Sequence, residues 1–279
     1  MLIANVKSIL IGFAQDEQRL SSALAYGLAL AAHARAHVTI QALSLRVNAP
    51  YSPIGDIAST LAAAENKRRH ATAEAVVEKA RQDALALGVP CTADAPQLPY
   101  DELTFAFATW ARVHDFTVLD ADSELLSLTE GVLHQALFES GRPVIVVPRT
   151  ADRFACKRML VAWDGSAKAA RAVNDALPFL RAADGVEIVS VAGEKDLSRS
   201  IPGADLAPQL ERHGVEVVVK NMVAQDGDVA EALRQEAHAF GADMIVMGAF
   251  VHSRLRELMF GGVTRSMLGQ SSIPLFLSH

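Results

Sequence analysis

The chain repeats itself on the scale of a domain. Ser8-Ile9-Leu10-Ile11-Gly12-Phe13-Ala14 opens the first half, and Arg158-Met159-Leu160-Val161-Ala162-Trp163-Asp164 opens the second. Gly131-Val132-Leu133 followed by Pro143-Val144-Ile145-Val146-Val147 closes the first. Gly262-Val263-Thr264 followed by Pro274-Leu275-Phe276-Leu277 closes the second. Solenoid repeats recur at about 20–50 residues, so a repeat this long in two copies predicts a paired domain instead. A length of 279 residues suits two domains. Residues 1–150 form the first and 151–279 the second. The linker falls near 149–157, where polar residues separate two apolar runs.

Bulk composition removes several classes of function. With 51% hydrophobic and 21% charged residues, the chain can bury an ordinary core. A net charge of −6 argues against a general nucleic-acid surface, so no nucleic-acid partner is expected. Two cysteines, Cys91 and Cys156, make no disulfide framework. The opening 1–13 is too short to span a membrane, lacks a small-residue cleavage site, and reads as a buried strand. No other apolar stretch reaches membrane length. A cytoplasmic protein without a membrane partner is the expectation.

Short apolar runs alternate with helical patterns. Residues 9–13, 38–43, 117–119 and 144–147 read as strands of the first half. Residues 159–163, 186–191, 215–219, 244–247 and 275–277 read as strands of the second. Leu20, Leu24 and Leu28 share one helical face, as do Leu103, Phe107 and Trp110. Val173, Leu177 and Leu180 mark another face, and Val229, Leu233 and Phe240 one more. Residues 57–87, rich in Ala, Glu, Lys and Arg, read as one long helix. Strands alternating with helices predict parallel sheet with right-handed crossovers, and uniformly apolar strands predict a sheet covered on both faces. The first half carries more in its middle, because the opening strands are 150 positions apart and the closing prolines 131. It carries less at one loop: Asp120 to Gly131 spans 11 positions, Gly248 to Gly262 spans 14.

That loop carries the candidate chemistry. The strand at 244–247 ends at Gly248. Val251-His252-Ser253-Arg254-Leu255-Arg256 follows, and Gly261-Gly262-Val263-Thr264 opens the last helix. Glycines let a backbone approach a ligand closely. A helix N-terminus offers unpaired N–H groups and partial positive charge to an anion. Thr264 and Ser253 add hydroxyl donors, and Arg254 adds a bidentate cation. In open parallel sheets, ligands sit beyond the carboxyl ends of the strands. Asp164 ends the first strand of the same half, where its carboxylate can accept hydrogen bonds from a base or sugar. The same glycines also suit a tight turn and a helix start.

The second half resembles the universal stress protein family. Met247-Gly248, two residues, Val251, nine residues, Gly261-Gly262 and Val263-Thr264 resemble that family's nucleotide loop. Leu160-Val161-Ala162-Trp163-Asp164-Gly165-Ser166 resembles its first strand. Gly241-Ala242-Asp243-Met244-Ile245-Val246-Met247-Gly248 and Ser272-Ile273-Pro274-Leu275-Phe276-Leu277 resemble its later strands. The first half matches more loosely. The resemblance implies an α/β protein of two Rossmann-like domains, each a five-stranded parallel sheet flanked by helices. It implies association through the last strands; an exposed last strand is also an edge that invites pairing, so the two halves can pair theirs within the chain, and a second chain can then add to give a homodimer of four domains. The resemblance also implies a ligand in some members, ATP or AMP, with Mg2+ accompanying ATP. Carried over by position, Ala162, Asp164 and Val191 surround adenine and ribose, and Met247 and Gly248 line the ribose. Gly261, Gly262, Val263 and Thr264 hold phosphates, helped by His252, Ser253 and Arg254.

Two positions depart from the pattern. Val251 replaces the second glycine, and its β-branched side chain resists positive φ. Gly262 replaces a Ser or Thr and removes one hydroxyl donor. A lost hydrogen bond to a charged group costs about 1.5–3 kcal/mol, or roughly one to two decades of affinity. Weak binding, AMP alone, or no nucleotide all stay open. The first half departs further: Ala14 stands in place of Asp164, Asp120 in place of Gly248, and Glu130 beside Gly131. Acidic groups repel phosphate, so no triphosphate is expected there, and the first half reads as a built-in partner subunit. A non-catalytic stress-response role is the primary reading. A nucleotide-free dimerising scaffold is the alternative. A slow ATP hydrolase ranks last, since no general base or Walker-type lysine is evident.

Four other features read as structural. His33 and His37 have metal-ligand spacing without a completing group. Asp226 and Asp228 precede a helix and suit an N-cap. Ser166 suits an N-cap better than a nucleophile. Lys67, Arg68, Arg69 and His70 suit a solvated helix face.

Overall fold

The computed structural model describes residues 3–14, 21–48, 57–121, 127–151, 153–192, 203–249, 251–252 and 259–279, with 251–252 and 259–260 described by backbone alone. In the first half, β1 (Ser8–Ala14), α1 (Ser22–Ala34), β2 (His37–Leu45), α2 (Ile57–Ala86) and β3 (Cys91–Asp94) come first. They are followed by β4 (Gln97–Leu98), α3 (Tyr100–Ala111), β5 (Phe116–Asp120), α4 (Leu128–Glu139) and β6 (Val144–Val147). The second half begins with β7 (Arg158–Ala162), α5 (Ala167–Asp175), α6 (Leu177–Leu180), β8 (Gly185–Ala192), α7 (Ala207–Arg212) and β9 (Val217–Val223). It ends with α8 (Val229–Phe240), β10 (Met244–Gly248), β11 (Val251–His252), β12 (Met259–Phe260), α9 (Gly262–Gln270) and β13 (Leu275–Ser278).

The main sheet runs in the order β3-β2-β1-β5-β6-β13-β10-β7-β8-β9, β4 pairs with the end of β2, and β11 and β12 pair with each other apart from it. Within each half every neighbouring pair is parallel. The halves meet through their last strands, which run antiparallel with Val144 opposite Leu277, Ile145 opposite Phe276 and Val146 opposite Leu275. The two expected parallel sheets are present, fused edge to edge.

Alternate strand residues feed two apolar layers. Ile9, Ile11, Val161 and Ile188 pack with α1, α2, α5, α6 and α7 on one face. Leu10, Leu160, Val189 and Ile245 pack with α3, α4, α8 and α9 on the other. A sheet covered this way needs apolar residues at both parities, which is the uniform pattern of the sequence.

One carboxylate contact repeats in both halves. Asp115 Oδ2 accepts from the backbone N–H of Lys7 at 2.7 Å and of Ser8 at 2.9 Å. Asp243 Oδ2 accepts from Lys157 at 2.7 Å and Arg158 at 2.9 Å. Each ties the residue before one strand to the start of its parallel neighbour. The repeat therefore extends to individual hydrogen bonds that apolar patterning does not reveal.

Sequence and structure differ at several elements, among them the short strands β4, β11 and β12, which no apolar run marked. The first half gains β3, a short edge strand in which only Ala93 is buried, so no apolar run announced it. β9 covers Val217–Val223 instead of 215–219, because the adjacent polar residues Lys220 and Asn221 end the apolar run inside an edge strand. The face of Val173, Leu177 and Leu180 is split between α5 and α6, with Pro178 near the start of α6. The long helix runs over Ile57–Ala86 as expected. The linker is anchored by Phe154, whose ring stands edge-on to Tyr26 at 5.3 Å.

The structural readings of minor features agree with the geometry. His33 Nδ1 bonds the Ala29 carbonyl at 2.8 Å in the last turn of α1, and His37 Nε2 lies 3.2 Å from the Thr92 hydroxyl. Asp228 Oδ1 caps α8 through the Glu231 N–H at 2.9 Å. Arg68 and Arg69 both reach Glu65 on their own helix, at 2.9 and 2.7 Å, and hold its carboxyl down to about 2. Burial pushes the Cys156 thiol up to about 12, which leaves it unreactive at neutral pH.

Candidate functional site

A cleft of about 390 Å³ opens beyond the carboxyl ends of β7, β8 and β10. Its size falls within the roughly 300–1,000 Å³ of small-molecule sites. Ala162, Trp163 and Asp164 enter from the end of β7, and Val189 and Val191 from β8. Val229 and Leu233 enter from α8, Met247 and Gly248 from β10, and Gly261, Gly262, Val263 and Thr264 from the start of α9. One end is apolar, walled by valines and Leu233. The other is a helix N-terminus.

Local chemistry explains that N-terminus. Ser21, Ser127, Ser166 and Asp228 cap α1, α4, α5 and α8 with side-chain oxygens. Gly261 precedes α9 and offers no such oxygen. The amides of Gly262 and Val263 therefore open α9 beside the cleft with no oxygen from an N-cap side chain, as an anion site requires. A Cβ built on Gly262 meets nothing within 4 Å, so the approach is open. Gly248 serves a different purpose. A Cβ there would lie 2.6 Å from the Ala169 amide nitrogen and 2.8 Å from the Lys168 carbonyl carbon. Only glycine lets β10 end against the first turn of α5.

All the described site residues of the sequence reading line this one cleft: Ala162, Asp164, Val191, Met247, Gly248, Gly261, Gly262, Val263 and Thr264. Asp164 is exposed, and its Oδ1 accepts from the Ser166 N–H at 3.0 Å. Ser166 caps α5 through the Ala169 N–H at 3.1 Å, in keeping with the N-cap reading. His252 belongs to β11, described by backbone alone. Ser253 and Arg254 lie outside the described residues. Val251 pairs with Phe260 in a short antiparallel ribbon, a setting that suits a β-branched residue.

Four lining residues escaped the sequence reading: Trp163, Val189, Val229 and Leu233. Periodicity held the signal for three of them. Val189 precedes Val191 by two on one strand face, and Val229 and Leu233 stand four apart on one helix face. The Trp163 N–H donates to the Val189 carbonyl at 2.8 Å, carrying the parallel ladder past the end of β7.

The first half fills the equivalent space with its own side chains. Gly12, the counterpart of Ala162, lies under the Phe107 ring, which comes within 2.4 Å of a Cβ built there. Gly131, the counterpart of Gly262, lies under Tyr100, whose hydroxyl would be 2.0 Å from its Cβ. The amide of Glu130 is capped by Ser127 Oγ at 3.0 Å. Asp120, the counterpart of Gly248, turns its carboxylate onto α1, accepting from Ser21 Oγ at 2.7 Å and the Ala23 N–H at 2.8 Å. It acts as a structural cap, and the Phe107 and Tyr100 side chains cover the glycines of this half.

Residues 155–279 match the model of the universal stress protein family. The second half therefore carries a universal stress protein domain. Universal stress protein Slr1230 of Synechocystis sp. is 29% identical over 136 residues, 48% of this chain and 46% of the relative. Stress response protein NhaX of Bacillus subtilis is 38% identical over 52 residues, 19% of this chain and 31% of the relative. The matched stretches thus span less than half of either relative's length. The fold likeness covers both halves. A universal stress protein from Archaeoglobus fulgidus superposes with a TM-score of 0.70 at 18% identity, covering 98% of each chain. A second, from Pseudomonas aeruginosa UCBPP-PA14, gives 0.57 at 12% identity, covering 98% of this chain and 93% of that one. Among the described residues no helix is long and apolar enough to cross a membrane.

Proposed function

We propose that residues 151–279 of this chain bind an adenine nucleotide, AMP or ATP with Mg2+, in a non-catalytic stress-response role. The observation that carries this reading is the pairing, in one cleft, of an apolar wall with a helix N-terminus left without a side-chain cap. Ala162, Val189, Val191 and Leu233 suit a base. The amides of Gly262 and Val263 suit phosphate oxygens, and Thr264 lines the same end. Asp164 is placed to accept from a ribose hydroxyl. Residues 1–150 serve as a built-in partner whose own cleft is filled. The protein acts in the cytoplasm, as a homodimer formed through surfaces other than β6 and β13, which are already paired to each other.

Denaturing the purified protein and assaying the supernatant for nucleotide tests this, together with titration of AMP, ATP and Mg-ATP. Nucleotide recovered from the protein, or a thermal shift with added nucleotide, supports the reading. Neither result at millimolar ATP would favour a nucleotide-free scaffold. ADP formation that disappears in Asp164→Ala would instead point to a hydrolase.

A further inference from the structure

Behind the apolar end of the cleft lies a buried charged cluster that the nucleotide reading does not use. Glu187 stands on β8 two residues before Val189, on the same sheet face as Val189 and Val191. Glu236 stands on α8 three residues after Leu233. The two residues are 7% and 6% exposed, α8 packs on β8, and the Glu236 charge acts on Glu187. Glu236 Oε2 accepts from Lys220 Nζ of β9 at 2.6 Å. Glu187 Oε2 is buried without a hydrogen-bond partner.

Charge and hydrogen-bond counting constrain this cluster. A carboxylate only accepts, so the buried Glu187 Oε2 finds a partner on Glu236 only when one of the two carries a proton. One ammonium cannot neutralise two buried carboxylates, and like charges this close disfavour double ionisation. No other charged group among the described residues relieves the pair. On β7 the residue opposite Glu187 is Leu160, and on β9 it is Val218. Arg158 bonds the Phe240 carbonyl at 2.8 Å, and Arg234 is held by Glu231 and the Ser266 hydroxyl.

We propose that Glu187 and Glu236 share one proton and, with Lys220, tie β8 to α8, so that loss of this proton loosens the apolar end of the cleft. The tie is a pH-sensitive strut between the two elements that carry Val189, Val191, Val229 and Leu233. Burial, then the Glu236 charge, raises the Glu187 pKa, and Lys220 opposes them. Its stabilising contribution is complete below the ordinary carboxylate value of 4.5 and is lost as pH rises through the raised native value. The consequence for ligand affinity rests on the nucleotide reading. The tie itself does not.

The test uses the full chain, its Glu187→Gln variant, which keeps a donor to Glu236 without a titrating proton, and Lys220→Met. Hydrogen exchange is followed in α8 relative to α1 at about pH 5 and about pH 8, corrected for intrinsic rates. The expected result is a severalfold loss of α8 protection at the higher pH, which Glu187→Gln abolishes. Lys220→Met should move the transition to higher pH, because the opposing cation is gone. An unchanged α8 in the parent chain, or the same loss in Glu187→Gln, would overturn the strut. Lys220→Met gives an independent arm should Glu187→Gln fail to fold, and a transition unmoved in it would also overturn the strut. AMP is titrated at both pH values. An affinity that falls severalfold with rising pH, except in Glu187→Gln, supports coupling to the cleft. AMP binding indifferent to pH would overturn that coupling. No AMP binding at either pH, with the exchange pattern intact, supports the strut and removes the nucleotide reading alone.

Discussion

Gly248 and Gly262 both line one cleft, yet for opposite reasons. Gly248 lacks a side chain because the backbone of Ala169 and Lys168 occupies the place of one. Gly262 lacks one although the space is empty. The two therefore separate folding from binding. Gly248→Ala forces α5 away from β10 and should cost about 1–3 kcal/mol, as overpacking does. A urea midpoint measures it, and an unchanged midpoint would mean that α5 yields freely. Gly262→Ala adds a methyl in open space at a helix start, where Ala for Gly contributes about 0.4–1 kcal/mol of stability. The same methyl crowds the first amides of α9. AMP affinity should fall about tenfold, or roughly 1.4 kcal/mol, while the midpoint holds or rises. Undiminished affinity would place the phosphate elsewhere.

At the scale of elements, α3 and α8 are the same helix of the repeat put to different uses. Phe107 of α3 is fully buried and covers Gly12. Leu233 of α8 is 4% exposed and walls an open cleft. Phe107→Ala should cost about 3–5 kcal/mol and leave nucleotide affinity in the second half unchanged. Leu233→Ala should cost near the lower end of about 2–5 kcal/mol, because the cleft already admits water beside it, and should weaken AMP binding. Denaturation and titration of both variants check this, and a loss of affinity in Phe107→Ala would show that the halves are coupled. The sequence disclosed these elements unevenly. Apolar runs covered on both faces revealed the central strands, and the breaker-poor stretch revealed α2. β3 stayed hidden because Cys91-Thr92-Ala93-Asp94 buries only one side chain. The glycines and Asp164 marked the cleft's rim. The filling of the first half was not legible, because nothing local to Tyr100 or Phe107 states which glycine each will cover. That depends on where α3 lands after β3 and β4.

At the scale of the molecule, the antiparallel pairing of β6 with β13 makes one sheet of two halves, and an aromatic run crosses the same boundary. Phe116 of the first half stands 5.5 Å from Phe179 of the second, which stands 5.6 Å from Phe276 on β13. All three are buried, and Phe276 lies opposite Ile145 of β6. Edge strands left bare invite pairing with other chains. Here each half satisfies the other's edge. Each half also completes the other's apolar layer, since the first half's Phe116, Ile145 and Val147 join the cluster that holds Val161, Phe179 and Phe276. Exposing this boundary would strip apolar area from both halves at once, so their unfolding is linked. The full chain should unfold in one calorimetric transition with equal calorimetric and van't Hoff enthalpies. Phe276→Ala removes the end of the aromatic run and should cost about 3–5 kcal/mol. That loss should be registered alike by a probe in α1 and a probe in α8. Two resolved transitions in the parent chain, or a Phe276→Ala effect confined to α8, would show that the shared sheet joins halves that fold independently.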